Sequence, residues 1–120
     1  MKHHDDLPYL RHIVDAALRV AQYVKGLDEA SFKDNPLVQD GVIRQIMVIG
    51  EAVKLLSDEV RVTYTQVPWR QIARMRDTLV HRYFGIDLEE VWLTAKDDLP
   101  ALKATLSAII QDIEAHDDGE

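Results

Sequence analysis

The chain contains no cysteine. Disulfide scaffolding and thiolate chemistry are therefore both excluded, and a reducing compartment fits. The N-terminus, Met1-Lys2-His3-His4-Asp5-Asp6, lacks the apolar centre of a signal peptide. The longest apolar run, around Ile46-Met47-Val48-Ile49, is too short to cross a bilayer. The expectation is a cytoplasmic protein with no membrane partner. A cationic excess is missing too. The net charge of −7 argues against a surface that binds nucleic acid everywhere. No alternating β pattern, internal repeat or glycine-rich phosphate loop occurs.

What remains is helical. At 120 residues the chain forms one domain large enough to bury a core. Leu7, Leu10, Ile13, Val14, Ala17, Leu18, Ala21 and Val24 recur every three or four residues, which predicts a helix from about Asp6 to Lys25. Asp5 or Asp6 is positioned to cap it, with Pro8 tolerated in its first turn and Gly26 at its end. His12 on this helix reads as a solvated side chain. His3 and His4 read as a frayed terminus, since two adjacent histidines make no metal shell alone. Leu27 to Pro36 is a connection with one helical turn at Glu29 to Lys33.

Asn35-Pro36 is a helix-start signal. It opens a segment predicted to run to Val60, with Val42, Ile46, Ile49, Val53, Leu56 and Val60 at alternating spacings of four and three. Ile43, Met47, Val48, Ala52 and Leu55 add apolar surface on its other faces. Such a helix is buried on more than one side, by its own bundle or by a second subunit. Gly50 costs about 1 kcal/mol in a helix interior, which close approach of another helix would offset. Glu51 beside it reads either as an exposed polar-face residue or as a buried acid holding an arginine.

Arg61 to Val67 is expected to be a loop. Pro68-Trp69 opens a third helix ending near Tyr83, and Asp87 caps a fourth. Asp98-Leu99-Pro100 restarts or kinks the chain before a last stripe, Leu99, Leu102, Leu106, Ile109, Ile110 and Ile113. These elements make an all-α antiparallel bundle of four to five helices over residues 1–115. An acidic tail at 116–120 is expected to be disordered.

Reactive side chains concentrate in Arg76-Asp77-Thr78-Leu79-Val80-His81-Arg82-Tyr83. Arg70, Arg74, Arg76 and Arg82 form a local basic island, and Arg70, Arg74 and Arg82 are candidates to contact RNA phosphates; the plainer reading pairs the island with the acids at Asp87, Glu89 and Glu90 or at Asp97 and Asp98. Asp77 and His81 are four apart, so the carboxylate is placed to fix the imidazole tautomer. Arginine suits a phosphate and histidine suits proton transfer. Metal-free RNA cleavage needs a base and an acid, and this stretch holds one histidine. A two-fold dimer would supply two. Spacing alone carries little, because an Arg-x4-His pair is common by chance.

The wider pattern carries more. Arg76-x4-His81-Arg82-Tyr83 resembles the R-x4-H-x-Y motif of HepT-like toxins in the HEPN superfamily. Ile49-Gly50-Glu51-Ala52, Pro68-Trp69-Arg70-Gln71-Ile72, Val91-Trp92 and Asp98-Leu99-Pro100-Ala101-Leu102 resemble its flanking segments, in family order. The resemblance implies a homodimeric endoribonuclease toxin that needs no metal and no other cofactor. Arg76 and His81 would be its catalytic pair, with Asp77 and Glu51 tuning the site. Asp77 stands where the family commonly has Asn. The resemblance further implies a nucleotidyltransferase antitoxin that transfers AMP to Tyr83. The alternative is a non-enzymatic HEPN module that binds RNA or that nucleotidyltransferase.

Overall fold

The computed structural model describes residues 3–118, with the side chains of His4, Tyr83, Asp117 and Asp118 left aside. The fold is all-α. Its helices are α1 (Leu7–Val24), α2 (Glu29–Lys33), α3 (Pro36–Leu55), α4 (Asp58–Thr63), α5 (Trp69–His81), α6 (Leu88–Leu93) and α7 (Leu99–Asp118). Short 3₁₀ turns at His4–Asp6 and Tyr83–Gly85 precede α1 and follow α5. Among the described residues no helix is long and apolar enough to cross a membrane.

Local chemistry accounts for most boundaries. Gly26 adopts φ +80 just past α1, a left-handed conformation that other residues resist. Asp28 and Ser31 form a reciprocal capping box on α2. The Asn35 side chain accepts from the Val38 N–H and Pro36 follows at the first helical position. Asp87 accepts from the Glu89 and Glu90 N–H groups to open α6.

α1 packs on α3 and α7, and α3 packs on α5. Leu10, Ile13 and Val20 of α1, Val42, Ile49 and Val53 of α3, and Leu106 and Ile113 of α7 are completely enclosed. Phe32 of α2 is buried against Trp92 of α6, with ring centroids 5.3 Å apart. Leu18 and Ala21, both on the expected α1 stripe, are exposed instead.

Several boundaries differ from expectation. The second long helix stops at Leu55. Leu56 turns extended (φ −69, ψ 150), and Ser57 caps a new helix by accepting from the Val60 N–H. Val60 is buried from α4, and Arg61 to Thr63 are helical instead of loop. α5 ends at His81, two residues early. Before Pro100 the chain widens into a π turn, Thr94–Asp98, in which the Leu99 N–H donates to the Thr94 carbonyl. That turn absorbs the bond a proline cannot make. α7 runs to Asp118, past the boundary expected at 115; Gly119 and Glu120 lie outside the described residues.

The N-terminal acids and His3 also differ. Asp6 makes no side-chain cap on α1. It is buried, and its two carboxylate oxygens accept from the Ser57 N–H at 2.8 Å and the Ser57 hydroxyl at 2.7 Å. His3 is buried, not frayed, edge-on to Tyr64 at 5.9 Å. The Tyr64 hydroxyl donates to Asp112 at 2.7 Å; burial, then Asp112, pushes that phenol up to about 12. Asp6→Ala leaves two Ser57 donors without their partner. It is expected to cost about 2 kcal/mol, read as a lower urea midpoint with an unchanged slope.

Candidate active site

The site is built where α5 crosses α3. A Cβ added to Gly50 would fall 2.2 Å from the Arg76 Cβ and 2.8 Å from its Cγ. The glycine therefore lets the arginine stem lie directly against the α3 backbone, as its place in a helix interior led one to expect. The stem is partly buried and the guanidinium reaches outward. Its Nη2 lies 3.2 Å from Glu51 Oε2, and its Nη1 lies 3.2 Å from Asp77 Oδ1.

Glu51 combines its two readings. It is exposed, and it also holds the arginine. Asp77 departs from expectation. Its Oδ1 accepts from Lys54 of α3 and from Arg76, so the bond to His81 suggested by their spacing is not made. Lys54 first, and then Arg76, hold the Asp77 carboxyl below its ordinary range against an opposing push from burial. Lys54 had not been singled out from the sequence. Its position three residues after Glu51, on the same side of α3, was the available signal.

Arg76 lines an open cleft of about 680 Å³ with Ile43, Arg44, Met47, Glu51 and Phe84. His81 lies outside that cleft. It is the last residue of α5 and is exposed. The pair is five positions apart, which turns them roughly 140° from one another on a helix. One protomer thus presents arginine and histidine on different faces. The Tyr83 side chain lies outside the described residues.

The basic island is divided among surfaces. Arg74 and Arg82 line a second open cleft together with Asp87, Glu90 and Asp97. Arg70 faces a third, beside Pro68 and Trp69. All three arginines are exposed. The acids expected to pair with Arg74 and Arg82 share their cleft, yet among the described residues neither arginine makes an ion pair. No group of three or more His, Asp or Glu side chains suited to a metal occurs among the described residues.

Comparison with known proteins adds the lineage. Residues 13–109 match the family model described as Ribonuclease HepT-like. The chain belongs to the HepT-like ribonuclease family. One HepT-like relative is named "Probable ribonuclease HepT", from Thermococcus cleftensis; it is 37% identical over 79% of this chain and 86% of its own length. Another, from Methanocaldococcus jannaschii and named "Putative RNase", is 36% identical over 98% of both chains. A third, from the same organism, is named "Gamma-glutamylcyclotransferase and putative RNase". It is 40% identical over 88% of this chain, and the chain spans about half of it (48%). No solved structure matches. The matched region contains the whole α3–α5 crossing with Gly50, Glu51, Arg76 and His81.

Proposed function

We propose that the chain is a metal-independent endoribonuclease, the toxin of a toxin–antitoxin pair, acting as a homodimer. The observation that carries this reading is Arg76, seated on Gly50 with its guanidinium in an open cleft, in a chain whose relatives are named as ribonucleases. The guanidinium binds the scissile phosphodiester and stabilises the charge that builds on phosphorus. One His81 removes the 2′-OH proton, and the 2′-oxygen attacks phosphorus. The bond to the 5′-oxygen breaks, and His81 of the second copy returns a proton to that oxygen. The products are a 2′,3′-cyclic phosphate and a free 5′-hydroxyl. Two copies answer the need for two proton-transfer groups, since one protomer offers a single motif histidine and turns it away from its arginine.

Regulation follows from Tyr83. A partner nucleotidyltransferase antitoxin attaches AMP to its hydroxyl, two residues from His81. The added bulk and negative charge would obstruct RNA and repel its phosphates. Intact mass after co-production with the nucleotidyltransferase tests this; an unmodified chain, or one modified elsewhere, removes the off switch.

The direct test is cleavage of single-stranded RNA in EDTA with end-group analysis. Undiminished cleavage leaving cyclic phosphate ends is expected. Activity that EDTA abolishes and added metal restores would sink the metal-independent mechanism. One observation favours a second reading, a non-enzymatic module that binds RNA or the nucleotidyltransferase: two carboxylates already occupy Arg76. Tight RNA binding without cleavage under any condition would decide for it.

A further inference from the structure

We propose that the outward stripe of α3 packs antiparallel on the same stripe of a second copy, and that Arg44 of that copy draws Glu51 away from Arg76, freeing the arginine for phosphate only in the dimer. The proposal rests on the ribonuclease reading above.

The stripe is chemically odd for an outer face. Arg44, Met47, Val48, Glu51 and Leu55 follow one another at helical spacing, on the side of α3 opposite the buried Val42, Ile49 and Val53. A solvated face would be polar throughout. Here Leu55 is 54% exposed, and Leu37, two turns before Arg44 on the same side of α3, is 83% exposed. Fully exposed Phe84 borders the stripe across the cleft it shares with Met47 and Arg76. This is apolar surface of the kind that subunit contacts cover.

Its charges say what covers it. A two-fold axis between Met47 and Val48 sets Met47 of one α3 against Val48 of the other. The same operation sets Arg44 against Glu51, and does so twice, because the pair is symmetric about that midpoint. A self-complementary patch is what a two-fold interface requires. Arg44 has the freedom to serve: it is exposed, and among the described residues it makes no ion pair. Among the described residues Glu51 has one partner in the protomer, Arg76 at 3.2 Å.

The consequence falls on Arg76. In the lone protomer its fork lies between Glu51 and Asp77, and with Lys54 on the same Asp77 oxygen the cluster sets two carboxylates against two cations. An incoming phosphate would meet a neutralised arginine. Asp77 is additionally held by Lys54, so Glu51 is the acid that can leave. Once it turns to Arg44 of the second copy, Nη2 is open for a phosphate oxygen. Arg44 acts through Glu51 and is a positioning residue.

Three measurements on the full chain test this. Because the protein has no cysteine, Met47→Cys alone should oxidise to a covalent dimer on a denaturing gel, and Leu37→Cys, far from the axis, should not. Arg44→Glu and Glu51→Arg should each weaken the dimer in light scattering, and mixing them should restore it, since both contacts are then opposite in sign. Arg44→Ala, assayed at concentrations where it is dimeric, should lose about fivefold to tenfold in kcat/KM; adding Glu51→Gln should recover most of the loss. A native dimer in which Met47→Cys fails to cross-link overturns the seam. Charge variants that do not complement overturn the pairing, and a loss in Arg44→Ala that Glu51→Gln leaves uncorrected overturns the release of Arg76. A native protein that cleaves no RNA removes the ribonuclease reading, and the seam still stands or falls on the cross-link and the mixing experiment.

Discussion

His81→Ala is expected to lower RNA cleavage by about 10²- to 10⁴-fold, the range for loss of a general acid–base group, with the melting temperature essentially unmoved. The contrast follows from where the residue sits. His81 ends α5 exposed, and the buried residue that anchors this end of the helix is Leu79. Truncating the imidazole therefore removes the proposed proton-transfer group and leaves the packing alone. Arg76→Ala should behave differently, because its stem fills the space against Gly50; activity and stability should both fall. Mixing the native chain with His81→Ala gives a further check. The heterodimer keeps one of the two motif histidines that the proposed mechanism uses, so it should cleave far more slowly than half the native rate. The measurement is single-turnover cleavage of labelled single-stranded RNA beside thermal melts. Native-like cleavage by His81→Ala would remove the histidine from the mechanism and with it the reason for needing two copies.

The residues differ in how far their roles could be read from the chain. Gly50 was legible, since a glycine in the middle of an apolar helix points to close approach, and α5 makes that approach. The α2 turn and the caps at Asn35 and Asp87 were legible because a side chain three residues or fewer away satisfies the backbone. The break after Leu55 was hidden for a physical reason. Val53, Leu56 and Val60 are all buried, so the apolar rhythm runs unbroken across a real interruption. The signal that marks it is Ser57 followed by Asp58 and Glu59, a cap with an acidic first turn. Asp77 shows a different limit. Its spacing to His81 permits a bond, but Lys54 approaches from another helix and takes the carboxylate. Local spacing states which contacts are allowed; the tertiary neighbours decide which are made. The buried carboxylate of Asp6 is of the same kind, since its partner Ser57 lies on the far side of α3 in sequence.

Gly50→Ala is expected to lose both stability and activity, although alanine is the better helix former. Propensity alone favours the substitution by about 1 kcal/mol. Packing opposes it. The new methyl would sit 2.2 Å from the Arg76 Cβ and 2.8 Å from its Cγ, with the Ile72 carbonyl oxygen at 3.4 Å. The two closest atoms form the base of the arginine side chain, fixed to the α5 backbone, so no flexible tip can swing aside. Either α3 and α5 separate or the Arg76 stem rotates. Overpacking of this sort costs about 1–3 kcal/mol, and it outweighs the gain in propensity where the helices cannot part. Catalysis is the more sensitive readout. A displacement of about 1 Å in a positioned group can cost roughly 10²-fold in rate, and the displaced group here is the arginine proposed to hold the phosphate. Gly85→Ala supplies the control for stability, because a Cβ there meets nothing within 4 Å. If Gly50→Ala melted and cleaved like the native protein, the contact that seats Arg76 on α3 would not be what places its guanidinium. The cleft, the pairing with Glu51 and the trans role of Arg44 would then lose their common support.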